Sequence, residues 1–375
     1  MNALRFHPSV ARYYLAQMLG RRSPPGIPAL RLEQVEPPIP ADGWRSVDVR
    51  LSGICGSDLA LLYGKSSPQL WGFHSLPAVL GHEILGEVDG ARVVVNPLLS
   101  CEQRGLDPCV ACRHGHDNLC ENIAEGDISP ASTIGYCRDL PGGWSERIIA
   151  HEKRLHAVPD DVPDGRAVLA EPLAVVLHGI RIAFPRSGWP RRILIVGAGT
   201  IGLLSVKTLR LLGFPGEIHV VARYSLQAEM AGKLDATTVH GSTRDASAAV
   251  GAKAYPAIIG PDGWRGGFEG VIDAAGSSQS LAEAAWAARE GSTVLLLGAP
   301  AELRHNFAPY WFREISLKGS WVYTAKHFQE AVELLVEADG LDALATHRYS
   351  LKRYREALAA MRNRQAVKAV FDPRS

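Results

Sequence analysis

No unbroken apolar run in the 375 residues reaches the roughly 18 that a membrane span requires. An excess of one charge is missing too. Lys and Arg number 40 against 39 Asp and Glu, a formal net charge of +1, so no broad basic field exists to attract nucleic acid or an anionic membrane surface. Internal repeats, low-complexity tracts and long charge runs are absent. The opening MNALRFHPSV lacks the charged-then-apolar layout of a secretory leader. What is present, 46% hydrophobic and 21% charged residues, suits a folded globular protein, and the length suits two domains better than one core. The expectation is a cytoplasmic enzyme or binding protein without nucleic-acid or membrane partners.

Cysteine is scarce. Six residues are few for a disulfide scaffold, and their distribution says more than their number. Cys101, Cys109, Cys112 and Cys120 crowd into twenty residues, while Cys55 and Cys137 stand apart. Clustered thiols in a large cytoplasmic chain point to metal rather than to disulfides. Cys137 reads as a buried packing residue.

The chain changes texture along its length. Up to about residue 165 it is rich in Pro, Gly and short β-type runs such as SVDVRL (46–51), ARVVVN (91–96) and ERIIAH (146–151), which predict a β-barrel or sandwich. The stretch ARYYLAQMLGRRSPPG (11–26) is helix-like, ends in two prolines and reads as an irregular insertion. From about Arg191, strand-like RRILIV, EIHVVA, GVIDAA and STVLLLG alternate with helical stretches, which predicts a parallel sheet covered by helices on both faces. A strand-like SLKGSWVY, helices near Phe328–Ala338 and Tyr354–Arg362, and a closing AVKAVF strand follow.

Ile193–Val196 runs directly into Gly197-Ala198-Gly199-Thr200-Ile201-Gly202, and a helical run follows. In that context the glycines have separate tasks. Gly197 permits a tight turn, Gly199 lets the backbone approach a pyrophosphate, and Gly202 lets helix and strand pack closely, while N–H groups at the helix start face the anion. The end of the next strand, where an acidic residue would hold the ribose 2′-hydroxyl of NAD, reads Val220-Val221-Ala222-Arg223-Tyr224-Ser225. Without a carboxylate there, and with Arg223 and Ser225 able to take a 2′-phosphate, NADP(H) is favoured over NAD(H). Arg223 stacking on adenine alone is the other reading.

Cys55 lies in Gly53-Ile54-Cys55-Gly56-Ser57-Asp58, His82 and Glu83 in Gly81-His82-Glu83, and Glu171 in Ala170-Glu171-Pro172-Leu173. A thiolate, an imidazole and carboxylates from separate segments form a plausible open catalytic zinc site.

GICGSD, GHE, the four cysteines, AEPLAV and VGAGTIG, in that order and with the closing KAVFDP, resemble the zinc-dependent medium-chain dehydrogenase family. The similarity is greatest to its sorbitol, threonine and secondary-alcohol branch. The resemblance implies an α/β chain: a GroES-like β-barrel catalytic domain (1–165 and 320–375) and a Rossmann doubly wound parallel-sheet domain (166–319), with hydride transfer in the cleft between them. It implies that Cys55 and His82 ligate catalytic zinc, with Glu83 and Glu171 both candidate ligands. In some relatives the carboxylate at Glu83 binds directly and in others it sits behind the ligands. In the sorbitol-type branch, Glu stands at the Glu171 position, ligating or reaching the metal through water. Zinc would act as a Lewis acid on the alcohol oxygen, and Ser57 would pass the proton onward. The outer histidine of that relay is replaced by Ala60. His178 reads as a packed or surface imidazole.

The four-cysteine cluster resembles the family's structural zinc lobe, spaced C-x₂-C-x₂-C-x₇-C. Cys109, Cys112 and Cys120 fit the last three places, Leu106 occupies the first, and Cys101 lies five residues upstream of it. All four thiols binding zinc is the expectation; Asp107 replacing a thiolate and a lobe without metal are the other readings. Leu297, Gly298 and Ala299 match positions near the nicotinamide, and Lys368 a cation near the pyrophosphate. Trp71, Phe73, His74, Trp311 and Phe312 are candidates for a substrate pocket or for packing. The resulting expectation is a zinc-dependent oxidoreductase acting between a nicotinamide cofactor and a small secondary alcohol or ketone, polyol or sugar-like, assembled as a homodimer or homotetramer. Reduction of an iminium or activated C=C bond on the same apparatus, and a non-catalytic NADPH-binding zinc protein, are the alternatives.

Overall fold

The computed structural model describes residues 1–24, 26–298 and 305–375. The chain forms two compact units, an inserted one, Pro172–Tyr323, and a flanking one, Met1–Glu171 with Thr324–Ser375. Among the described residues, no helix is long and apolar enough to cross a membrane.

The inserted unit is built on a six-stranded sheet whose strands, numbered within the unit, are β1 Arg192–Val196, β2 Glu217–Val221, β3 Thr238–His240, β4 Phe268–Asp273, β5 Ala288–Leu296 and β6 Ser316–Gly319. Every neighbouring pair is parallel, and the order is β3-β2-β1-β4-β5-β6. A sheet covered on both faces needs strands that are apolar throughout. Accordingly, Ile193–Val196 are all buried, and Leu194, Val196, Val271 and Val294 share one core with Leu281, Ala284 and Ala285 of the helix Ser278–Ala287. The order reverses at β1 and β4, the switch point where such sheets take their ligands. The described part of this unit also holds an antiparallel hairpin, Lys253–Tyr255 with Gly263–Arg265, which the sequence pattern did not announce.

The flanking unit is mainly antiparallel. The ten-residue strand Trp44–Gly53 is its seam: its first half pairs with Arg147–His151, its second half, Asp48–Ser52, with Ile84–Val88, and its end, at Ser52 and Gly53, with Ala369–Asp372. The sheet continues through Ala91–Val95 to Leu155–Ala157 on one side and to His347–Ser350 on the other. One core cluster gathers Leu4, Phe6, Ile54, Leu80, Tyr136, Trp144 and Phe371, and a second Val47, Val49, Ile84, Val93, Ile148 and Cys137. The stretch expected to be an irregular insertion contains a regular helix, Val10–Leu19. Ser9 caps it, and its buried Tyr13 meets Trp71 edge-on at 5.1 Å and donates to Ser66 O at 2.8 Å.

The glycine turn after β1 is determined by contact. Gly197 has φ +101°, open in practice to glycine, and a Cβ on Gly202 would lie 1.8 Å from Gly197 O. Gly202→Ala is therefore expected to lower stability by about 1–3 kcal/mol by forcing the helix off the strand, read by chemical unfolding. A loss under about 0.5 kcal/mol would mean that the helix start can yield.

Candidate functional site: two metal-ready clusters and a glycine turn

Four thiols converge in the flanking unit. Cys101 opens the turn Glu102–Arg104, Cys109 caps the short helix Val110–Arg113 that contains Cys112, and Cys120 ends the turn Asp117–Leu119. Their sulfurs lie within 4.8 Å of one another, the one group of three or more potential ligands this tight among the described residues. All six cysteines are free thiols. Backbone N–H groups already turn toward the sulfurs, with Cys109 N donating to Cys101 Sγ at 3.3 Å and Glu121 N to Cys109 Sγ at 3.5 Å. Against the burial penalty, the N–H groups of Glu121 and Cys112 bring the Cys109 thiol down to about 6, whereas burial lifts Cys120 to about 11. Four sulfurs at this spacing fit one tetrahedral zinc at about 2.3 Å from each. Asp107 is outside the group. Arg104, fully buried, ties the loop to the barrel by donating to the carbonyls of Glu125, Ile128 and Ala131.

A second constellation forms where Trp44–Gly53 ends. Cys55 caps the helix Gly56–Leu62, and Asp58 in its first turn accepts from Cys55 N at 3.0 Å. The other oxygen of Asp58 takes the Tyr136 hydroxyl at 3.0 Å and lies 3.4 Å from His82 Nδ1. With Nδ1 beside a carboxylate, Nε2 is the nitrogen that would turn to a metal; here it faces Ser57 Oγ at 3.5 Å, and Ser57 Oγ lies 3.1 Å from the Tyr136 hydroxyl. Asp58 and Tyr136 were not singled out from the sequence. Asp58 had a signal, an acid three residues after a helix cap inside the quoted motif. Tyr136 had none, because 79 residues separate it from Ser57.

The electrostatics of the cluster follow from burial and carboxylates. Against complete burial, the charges of Asp58 and Cys55 raise His82 well above its ordinary value. Burial, then Asp58 and Cys55, raise the Tyr136 hydroxyl as well, so it stays protonated and can donate. His74 stacks on Tyr136 at 4.6 Å, and burial, helped by His82, lowers it to about 4, so it is neutral.

Glu83, Lys368 and Glu171 are all buried. Glu83 does not offer a free carboxylate: both oxygens accept from Lys368 Nζ at 2.7 Å, and a Cβ on Gly53 would strike one of them at 1.8 Å. Lys368, expected near a pyrophosphate, is buried because the strand Ala369–Asp372 pairs onto Ser52 and Gly53, and its ammonium also donates to Ile54 O at 3.2 Å. Against the burial penalty, Glu83, Cys55 and Glu171 raise its pKa. Glu171, in the first turn of Ala170–Ala183, is buried and near enough to act on Lys368, but Cys55, His82 and Glu171 do not approach one another within the spacing of the thiol cluster. His178 is buried, Trp311 and Phe312 are largely exposed, and Phe312 lies under the Arg265 guanidinium.

In the inserted unit, Gly199 caps the helix Thr200–Leu211, with no side-chain hydrogen bond at the cap. Ala222 is buried, Ser225 opens the helix Ser225–Lys233, and Arg223 is held by Glu283 at 3.2 Å. After β5, Leu297 and Gly298 both donate to Asp273 O; Ala299 lies outside the described residues.

A dinucleotide-type sheet and metal-ready β structure on a single polypeptide are the construction of a metal-assisted dehydrogenase. Residues 41–160 match the alcohol dehydrogenase GroES-like domain and residues 200–337 the zinc-binding dehydrogenase domain. The chain is 29% identical over 355 residues to the L-galactonate-5-dehydrogenase of Escherichia coli (strain K12), covering 90% of this chain and 94% of that one. It is 26% identical over 355 residues to the L-threonine 3-dehydrogenase of Anaeromyxobacter sp. (strain Fw109-5), covering 89% and 94%. Among solved structures, a Sinorhizobium meliloti 1021 protein assigned to the zinc-binding dehydrogenases and bound to NADP superposes with TM-score 0.74 at 26% identity over 99% of each chain. An Escherichia coli CFT073 alcohol dehydrogenase complexed with NADH, at 24% identity and TM-score 0.74 over 99% of each chain, shares the fold. The chain belongs to the zinc-dependent medium-chain alcohol dehydrogenase family and is a nicotinamide-dependent oxidoreductase.

The buried Lys368–Glu83 pair is open to a double-variant test. Lys368→Met strands a buried carboxylate and is expected to cost about 3–5 kcal/mol in chemical unfolding, most of it recovered in Lys368→Met/Glu83→Gln. A single-variant cost under about 1 kcal/mol would show that the pair is not structural.

Proposed function

We propose that the chain transfers hydride between NADP(H) and a secondary alcohol or ketone of the polyol or sugar-acid class, with Cys55, His82 and Glu171 holding a catalytic zinc and Cys101, Cys109, Cys112 and Cys120 a structural one. The observation that carries the reading is the gathering of Cys55 N–H, the Tyr136 hydroxyl and His82 Nδ1, at 3.4 Å, around the Asp58 carboxylate, while His82 Nε2 faces Ser57 Oγ at 3.5 Å on the side of the cluster that a metal would take. Zinc would supply a Lewis acid for the substrate oxygen at the first site and a loop clamp at the second. Ser57 stands at the imidazole with its hydroxyl fixed by Tyr136 and is the group that would accept the substrate's proton and hand it on. Glu171 completes the site directly or through water. Glu83 and Lys368 act from behind, holding the backbone of Ile54 in place. The substrate class rests on relatives named for L-galactonate and for 2-dehydro-3-deoxy-L-galactonate. The cofactor reading rests on Arg223, on the absence of a carboxylate between Ala222 and Ser225, and on the NADP carried by the Sinorhizobium meliloti relative. The edge strand β6 is exposed at all four residues, an open ladder suited to pairing with a second copy in a homodimer or homotetramer.

Metal analysis of the purified protein should find two zinc ions per chain, one of them lost in Cys55→Ala and the other in Cys112→Ala. Retention of both in Cys55→Ala would remove the catalytic-site assignment. A panel of secondary alcohols, polyols, sugar acids and ketones, followed at the nicotinamide absorbance band, should show turnover with NADP(H) that Cys55→Ala abolishes. Activity confined to activated C=C substrates would overturn the reaction class.

A further inference from the structure

The end of β2 carries an ion pair that the reading of the site leaves unused. Arg223 Nη2 donates to both oxygens of Glu283, at 3.2 and 3.3 Å. Glu283 comes from a different element, the helix Ser278–Ala287 that follows β4, and Gln279, one turn earlier, donates to its Oε1 at 2.8 Å. The Glu283 side chain is 23% exposed and that of Arg223 50%. The carboxylate thus sits on the sheltered side of the guanidinium and is itself held from behind.

Position and charge together give this pair a task. In sheets of this order, the end of the second strand meets the adenosine ribose, and an acidic side chain there selects the 2′-hydroxyl while an arginine accommodates the 2′-phosphate. The segment Ala222–Ser225 contains no acid, so by its local sequence it would favour the phosphate alone. The tertiary structure brings a carboxylate to the same guanidinium from 60 residues away. A 2′-phosphate approaching Arg223 must displace that carboxylate or share the guanidinium with it, two anions on one cation in a partly desolvated place. Displacement is sterically open. Glu283 lines a cavity of about 540 Å³ together with Gln279, Trp264, Trp286, Arg244 and Asp262, and this cavity can receive the released side chain.

We propose that Glu283 is a specificity-determining residue that competes with the cofactor's 2′-phosphate for Arg223 and so narrows the margin by which this chain prefers NADP(H) over NAD(H). The proposal rests on the reading of Gly197–Gly202 as a dinucleotide site. With Glu283 in place, Arg223 is neutralised and NAD(H) meets no unpaired cation. Without it, Arg223 is a free cation for phosphate.

The test is a comparison of dissociation constants for NADP⁺ and NAD⁺, by calorimetric or fluorescence titration of the full chain, in wild type, Glu283→Gln, Arg223→Ala and Arg223→Ala/Glu283→Gln. Glu283→Gln keeps the shape and the contact with Gln279 but removes the charge. It should tighten NADP⁺ about fivefold or more at low salt, because the Arg223 guanidinium no longer has to be freed from a carboxylate or shared with one, and leave NAD⁺ within about twofold. In the Arg223→Ala background the same substitution should give no such coupled gain. Glu283→Ala, compared at equal thermal stability, should act in the same direction. An NADP⁺/NAD⁺ ratio unchanged in Glu283→Gln, with binding intact, overturns the proposal alone, as does an equal gain in the Arg223→Ala background. Wild-type protein that binds neither dinucleotide overturns the underlying reading of the glycine turn.

Discussion

The buried contact between Lys368 and Glu83 ties the flanking unit's closing strand to its interior. A lysine and a glutamate, each almost wholly out of water, persist only as partners, because either charge left alone in that interior would cost several kcal/mol. The pair joins the closing strand Ala369–Asp372 to the loop that begins at Gly81, and through Ile54 O it fixes the residue before Cys55. Three segments distant in sequence are thereby locked at one point, directly beside Cys55 and His82, the chain neighbours of Ile54 and Glu83. Asp58 repeats the logic on a smaller scale. One carboxylate accepts from Cys55 N and Tyr136 and lies against His82, so orienting the imidazole and capping the helix are a single structural act.

The thiol lobe is held differently. Four sulfurs within 4.8 Å form a group of thiols alone, and their acidities diverge because burial raises Cys120 while N–H groups lower Cys109 against its own burial. The loop is braced by Arg104, whose guanidinium collects carbonyls from Glu125 to Ala131, and by N–H groups aimed at sulfur. That arrangement tolerates the unusual spacing. Cys101 reaches the cluster although Leu106 occupies the place nearer in sequence, because the turn Glu102–Arg104 folds the chain back on itself.

Much of the fold was legible in the residues. The apolar runs of β1, β2, β4 and β5 are continuous because both faces of a parallel sheet are covered, and such runs separated by helical stretches leave few topologies. The glycines of the turn were legible because two of them answer to sterics, a positive φ at Gly197 and contact with a carbonyl at Gly202. The helical character of Val10–Leu19 was legible but its packing was not, because its anchor is a tertiary one: a buried face around Tyr13 settles it against Trp71, while most of its apolar side chains remain exposed. The hairpin Lys253–Tyr255/Gly263–Arg265 was missed because three-residue strands carry almost no periodic signal.

The sequence by itself determined which chemical groups are available and, through ordered motifs, which local shapes carry them: a cysteine at a helix cap, a histidine after a glycine, four thiols in one loop, a glycine turn between strand and helix. Local geometry suffices for these because each depends on neighbours within a few residues. Only the tertiary structure decided what those groups face. It gave Glu83 to Lys368, Tyr136 to Asp58 and Glu283 to Arg223, in each case across 60 or more residues of chain. Charge pairing and desolvation act through space, and the identity of the partner across the fold is what sets whether a carboxylate is a ligand, a strut or a competitor.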